Sequence, residues 1–117
     1  MKLLLKKAII VDEQSSFYGA QKDILISDGI ITEISDEIEV SDATIINIPQ
    51  LHVSQGFCDL KSHFCDPGEE HKETISSGLD AAAIGGYTHV AILPSTTPVV
   101  DGKTTVDYLY RKAEGSV

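Results

Sequence analysis

The segment GFCDLKSHFCDPG, residues 56–68, begins as an apolar strand and ends in polar side chains and an Asp-Pro-Gly turn. From about Glu70 to Ile84, apolar residues recur at helical spacing, and Gly85-Gly86 ends this predicted helix. Tyr87 to Leu93 has the composition of a buried strand, and Pro94 to Gly102 that of a loop. This alternation predicts parallel strands joined by right-handed crossovers.

A second predicted helix follows this loop. Thr104 and Asp107 have the spacing of a capping box, in which each side chain would bond the other residue's backbone N–H. Two strand–helix units cannot close a (β/α)8 barrel, which takes about 250 residues. Because the chain ends at Val117 with no closing element, it is expected to be a fragment.

The sequence before residue 50 has a different character. Strands are predicted at Leu3–Val11, Asp23–Ser27, Ile30–Ile34 and Thr44–Ile48. The Asp28-Gly29 pair between two of them predicts a hairpin, because both central residues of a type I′ turn need positive φ. These features predict a small all-β unit.

The bulk composition excludes some classes of function. The chain has 117 residues and a formal net charge of -9, which disfavours binding to nucleic acids and anionic membranes. Its apolar runs are too short to cross a bilayer, so we predict a cytoplasmic protein. Cys58 and Cys65 are predicted to be reduced thiols, with Cys58 buried.

Residues 56–68 resemble the first barrel strand and loop of dihydroorotases and related cyclic amidohydrolases. The resemblance continues through Leu93-Pro94-Ser95-Thr96-Thr97-Pro98, and upstream through Ile9–Asp12 and Asp23–Ile34. It implies an α/β fold in which residues 1–50 form a β-sandwich segment. Residues 51–117 would then form the opening βα units of a TIM-type barrel.

The resemblance also implies a zinc ion held by a His-x-His pair at the end of the first barrel strand. Two histidines at i and i+2 point to the same side of a strand, and the bound metal lowers the pKa of a water ligand towards 7. In this chain His63 stands at the second position of the pair, and Lys61 replaces the first histidine. A lysine ammonium has no lone pair for a metal, so loss of the zinc is expected. A carbamylated or deprotonated Lys61 would be the exception.

The positions implied to bind substrate differ from the family as well. Cys65 replaces an arginine that would hold a substrate carboxylate through two parallel hydrogen bonds, and Ser95 replaces an asparagine. With both replaced, we assign no catalytic residue to the chain. Cys65 could serve as a nucleophile only with His63 as its base.

Three functions remain open from the sequence. The first is a non-catalytic dihydroorotase homologue, kept as a structural partner of another enzyme of pyrimidine biosynthesis. The second is a metal-dependent cyclic amidohydrolase of dihydroorotase or altered specificity. The third is an interaction module that forms homo-oligomers through exposed strand edges. Residues outside the motifs are predicted to have structural roles only. His52, His71 and His89 are predicted to be surface or packing residues, and Glu69, Glu70 and Glu73 to form a solvated first helical turn.

Overall fold

The computed structural model describes residues 1–116, so Val117, the last residue of the predicted barrel segment, lies outside the described part. The fold is mixed α/β, as predicted. Its elements are β1 (Lys2–Val11), β2 (Gln21–Ser27), β3 (Ile30–Ser35), β4 (Thr44–Ile46), β5 (His52–Ser54), β6 (Phe57–Ser62), α1 (Ile75–Ile84), β7 (Tyr87–Ile92) and α2 (Lys103–Ala113). The chain divides into two compact units, with the boundary after Gln55.

The first unit is a five-stranded sheet built around β1. β2 pairs antiparallel with β1, and β3 pairs antiparallel with β2. β4 and β5 both run parallel to β1, one along its beginning and the other along its end. The hairpin prediction is confirmed, because Asp28 and Gly29 have φ values of 51° and 82°. β5 belongs to this sheet although it lies after residue 50. The division into a β-sandwich segment of residues 1–50 and a barrel segment of residues 51–117 stays a prediction.

A buried carboxylate stabilises a bulge in β1. The register of β1 against β2 shifts between Leu5 and Ala8, and Lys7 has a φ of 53°. Asp23, only 1% exposed, accepts hydrogen bonds from the Lys7 N–H at 2.9 Å, the Lys6 Nζ at 2.6 Å and the Ile38 N–H at 3.0 Å. Burial alone would raise the pKa of Asp23, but these hydrogen bonds outweigh it and hold the pKa below its usual value.

The second unit contains two parallel strands, β6 and β7, connected by α1. The Thr74 hydroxyl accepts from the Ser77 N–H, and the Ser77 hydroxyl accepts from the Thr74 N–H, which together form a capping box. The predicted stop is confirmed: Gly85 caps the C-terminus of α1, and Gly86 follows with a φ of 81°. The parallel pairing predicted from the alternation of elements is therefore present.

Four local predictions were wrong. α1 begins at Ile75, so Glu69, Glu70 and Glu73 precede the helix. α2 begins at Lys103 with Gly102 as its N-cap and no side-chain cap, so Thr104 lies inside the helix. β7 is largely exposed and Cys58 is exposed, because β6 and α1 are the only described elements that pack against β7.

No helix among residues 1–116 is both long and apolar enough to cross a membrane.

Candidate functional site

The candidate site lies at the carboxyl ends of β6 and β7, which meet at one edge because the strands are parallel. Two loops leave this edge: the first loop, residues 63–74, and the second loop, residues 93–102. The Leu93 N–H donates to the Ser62 carbonyl at 2.8 Å, so both loops start side by side. All the site residues predicted from the sequence lie in or next to these loops.

Lys61 and His63 flank the end of β6 and are both exposed. The Lys61 N–H donates to Asp59 Oδ1 at 2.8 Å, which fixes the backbone at this point. Within residues 1–116, the Lys61 ammonium takes part in no ion pair. The same part of the chain brings together no group of three His, Cys, Asp or Glu side chains suited to a metal ion.

The side chains of Cys65 and His63 lie close together. The Cys65 Sγ atom is 3.9 Å from His63 Nδ1 and 3.8 Å from the His63 carbonyl oxygen, which are both within reach of a weak thiol hydrogen bond. Cys65 is half-buried and has a φ of 61°, an uncommon value for a residue other than glycine. The thiol therefore faces its own loop, and it offers no charged fork for a carboxylate.

The two loops are joined at Pro67 and Thr97. The Thr97 N–H donates to the Pro67 carbonyl at 3.1 Å. At Gly68, where φ is 111°, an added Cβ would lie 2.3 Å from the Thr97 carbonyl oxygen. Any side chain at Gly68 would therefore force the loops apart. Ser95 is exposed on the second loop, outside this contact.

Sequence reasoning missed the most enclosed polar group of the site, Asp66. Its carboxylate is 1% exposed and accepts from the Tyr108 hydroxyl at 2.7 Å and from the Ile75 N–H at 3.3 Å. The bond to Asp66 raises the pKa of Tyr108 to about 12, and burial adds to this shift. The sequence shows Asp66 only as part of a turn, and nothing in it indicates a partner 42 positions away.

The acidic residues after the turn serve local structure. Glu70 accepts from the Gly68 N–H at 3.0 Å, and Glu69 pairs with Lys72 at 2.5 Å. The hydrogen bond from Lys72 lowers the pKa of Glu69, and the same bond raises the pKa of Lys72. His52, His71 and His89, predicted to be surface or packing residues, are all exposed.

Comparison with solved structures identifies the architecture. A D-hydantoinase structure superposes with a TM-score of 0.77 and 27% identity, covering 100% of this chain and 25% of its own. The L-hydantoinase (dihydropyrimidinase) of Arthrobacter aurescens gives a TM-score of 0.81 at 22% identity, over 95% of this chain and 24% of its own, and supports the fold alone.

Comparison with known sequences is more specific. A family model described as dihydro-orotase-like matches residues 51–116. The dihydroorotase of Caldanaerobacter subterraneus is 42% identical over 115 residues, which are 97% of this chain and 26% of the relative. The dihydroorotase of Acetivibrio thermocellus is 43% identical over 112 residues, which cover 96% of this chain and 26% of the relative. The chain belongs to the dihydroorotase-like family, and it spans about a quarter of the length of these relatives.

The zinc implied by this family does not fit the donors at the end of β6. A zinc ion needs lone pairs from imidazole, thiolate or carboxylate groups. At the two positions that the sequence resemblance assigns to a His-x-His pair, this chain has the Lys61 ammonium and the His63 imidazole, and the ammonium has no lone pair to offer. If the assignment of this pair by resemblance holds, one of its two donors would be missing, and an ammonium group would stand in its place.

Proposed function

We propose that this chain belongs to a non-catalytic dihydroorotase homologue, kept as a structural partner of another enzyme of pyrimidine biosynthesis. The observation that carries the proposal is Lys61, an exposed ammonium group where the family places a metal ligand. Where no metal ion is held, water at the strand end would keep a pKa far above neutral, and no hydroxide would form there.

The two substrate positions support the same proposal. The Cys65 side chain turns towards His63 and carries a single sulfur atom, so it cannot replace the paired hydrogen bonds that an arginine makes to a carboxylate. Ser95 has a shorter side chain than asparagine and lacks its amide donor. Changes at three positions with different chemical tasks are more simply explained by lost catalysis than by one adjusted specificity.

The preserved framework supports a structural role. Phe64 packs against Gly78, and the first and second loops remain joined through Pro67 and Thr97. A site that loses its chemistry but keeps a buried and ordered framework still presents a defined surface to another protein.

The test compares the natural protein that contains this chain with variants that restore the family residues. We expect no cyclisation of carbamoyl aspartate by the natural protein, with or without added zinc. Lys61→His should bind more zinc than the natural protein, and the variant that also carries Cys65→Arg and Ser95→Asn should gain measurable cyclisation. Lys103→His is the matched control, because Lys103 is an exposed lysine on α2. An ordinary enzymatic rate from the natural protein would refute the proposal.

A second candidate is a cyclic amidohydrolase of altered specificity. It is favoured by the intact contact between the two loops together with Cys65 at the position implied for an arginine, because a site without that arginine suits a substrate without a carboxylate. Ring opening of uncharged cyclic amides by the natural protein in added zinc would establish this alternative, and no turnover across such a series would count against it.

A further inference from the structure

The carboxylate of Asp66 connects three segments of the second unit. It belongs to the first loop, accepts the Tyr108 hydroxyl of α2 at 2.7 Å, and accepts the first helical N–H of α1, that of Ile75, at 3.3 Å. Within residues 1–116 it forms no ion pair with a lysine, arginine or histidine. At 1% exposure, a carboxylate without a cation depends on these donors for its stability.

Tyr108 is therefore the one side-chain donor to Asp66 in the described part of the chain, and the remaining donor is a backbone group. Its hydroxyl bond is short and charge-assisted, whereas the backbone bond is long. Removing the hydroxyl would leave the buried carboxylate with a single weak partner.

The rest of the first loop is tethered on either side of Asp66. Before it, the Phe64 ring lies so close to α1 that a Cβ on Gly78 would come within 2.6 Å of it. After it, the Pro67 carbonyl accepts from Thr97. His63 and Cys65 lie between these anchored residues in the sequence. Their positions therefore depend on the contacts that hold the loop in place.

We propose that the Tyr108–Asp66 contact positions the first loop, so that a residue on α2 sets the geometry of His63 and Cys65 at the candidate site. Tyr108 is a positioning residue, since it acts on the site only through Asp66. Any ligand or partner that shifts α2 would act on the strand end through this bond. The proposal concerns the loop and holds whether or not the natural protein is catalytic, so its failure would leave the proposed function untouched.

The experiment measures amide hydrogen exchange across the full chain for Tyr108→Phe and for Tyr110→Phe. The second variant is the matched control, because Tyr110 lies two residues further along the same helix and is 73% exposed. Tyr108→Phe should raise the exchange of the amides in residues 63–70 by about tenfold, since the loop opens locally at lower cost. Tyr110→Phe should leave them within about twofold of the natural chain.

Two further measurements separate local positioning from general loss of stability. Asp66→Asn, which weakens the contact from its other end, should raise exchange in the same residues. Alkylation of Cys65 should accelerate in Tyr108→Phe, while that of the exposed Cys58 stays constant. Unchanged exchange in residues 63–70, or an equal rise throughout β6, β7 and the loop, would overturn the proposal.

Discussion

Asp23 illustrates how much a single side chain does in the first unit. It bonds the bulge of β1 through Lys6 and Lys7, and it bonds Ile38 in the connection between β3 and β4. Because the Lys6 ammonium is partly exposed, the pair is weaker than a fully buried one, and the two backbone bonds matter as much as the charge. The neighbouring alternation of apolar residues predicts the strands, but it does not reveal that an acid would be enclosed.

The first prediction concerns acid stability. The pKa of Asp23 is lower in the folded chain than in the unfolded one, so its stabilisation is fully present above the unfolded value of about 3.9. It is lost as the pH falls through the folded pKa. Urea unfolding from pH 7 to pH 2 should show this loss in the natural chain and a flatter profile in Asp23→Asn. At pH 7 the variant should be less stable by about 1–3 kcal/mol. Equal stability of the two at pH 7 would contradict the role given to Asp23.

A second prediction at the scale of residues concerns Gly78. A methyl group there would lie 2.6 Å from the Phe64 ring, so Gly78→Ala should cost about 1–3 kcal/mol even though alanine favours helices. Gly102→Ala is the control for packing alone, because nothing lies within 4 Å of its added Cβ and its φ is -145°, so any loss there reflects the N-cap position of α2. Chemical unfolding of both variants gives their free energies of unfolding for comparison. If Gly78→Ala were more stable than the natural chain, the close contact between Phe64 and α1 would be contradicted.

At the scale of elements, α1 and α2 begin differently although their sequences look alike. Thr74 and Ser77 form a reciprocal cap on α1, whereas Thr104 and Asp107, which have the same spacing, form none. The start of α1 is fixed by tertiary contacts, since Ile75 is 1% exposed and its N–H reaches Asp66. A local sequence pattern does not contain such a contact, which explains why the sequence misplaces the first turn of α1.

The third prediction follows from this difference. Thr74→Ala removes the hydroxyl that accepts the Ser77 N–H, and it should lower the free energy of unfolding by about 1 kcal/mol. Thr104→Ala, at an exposed position inside α2, should change it by less than about 0.5 kcal/mol. Denaturant midpoints of the two variants, measured side by side, test this prediction. A larger loss of stability in Thr104→Ala than in Thr74→Ala would contradict it and would indicate that Thr104 caps α2 after all.

The strands and the hairpin turn could be predicted from sequence, because both depend on local rules. The alternation of apolar and polar residues predicts β1 to β3, and the positive φ values at Asp28-Gly29 depend only on these two residues.

The candidate site could be predicted only in part. The motif predicts where Lys61, His63, Cys65 and Ser95 fall in the chain, and their roles as replaced or remnant positions stay predictions. The contact between Cys65 and His63, and the one between Asp66 and Tyr108, depend on how the loop folds back, which no local rule gives.

At the scale of the whole molecule, large apolar side chains remain exposed in both units. In the second unit Leu60 is 78% exposed, Phe57 60% and Ile84 89%, and in the first unit Ile30 is 68% exposed. The fourth prediction is that the chain, purified alone, self-associates through such surfaces and free strand edges. Sedimentation velocity should show dimers or larger species that grow with concentration. A clean monomer at all concentrations would count against the interaction module.

In the proposed function, the family's chemistry has been lost at the end of β6. The most direct test is the zinc content of the natural protein that contains this chain, purified without chelator and measured by elemental analysis. We predict far less than one zinc per polypeptide, even after incubation with zinc, because the Lys61 ammonium offers no lone pair. Zinc near one equivalent would contradict it and would make the cyclic amidohydrolase of altered specificity the leading function.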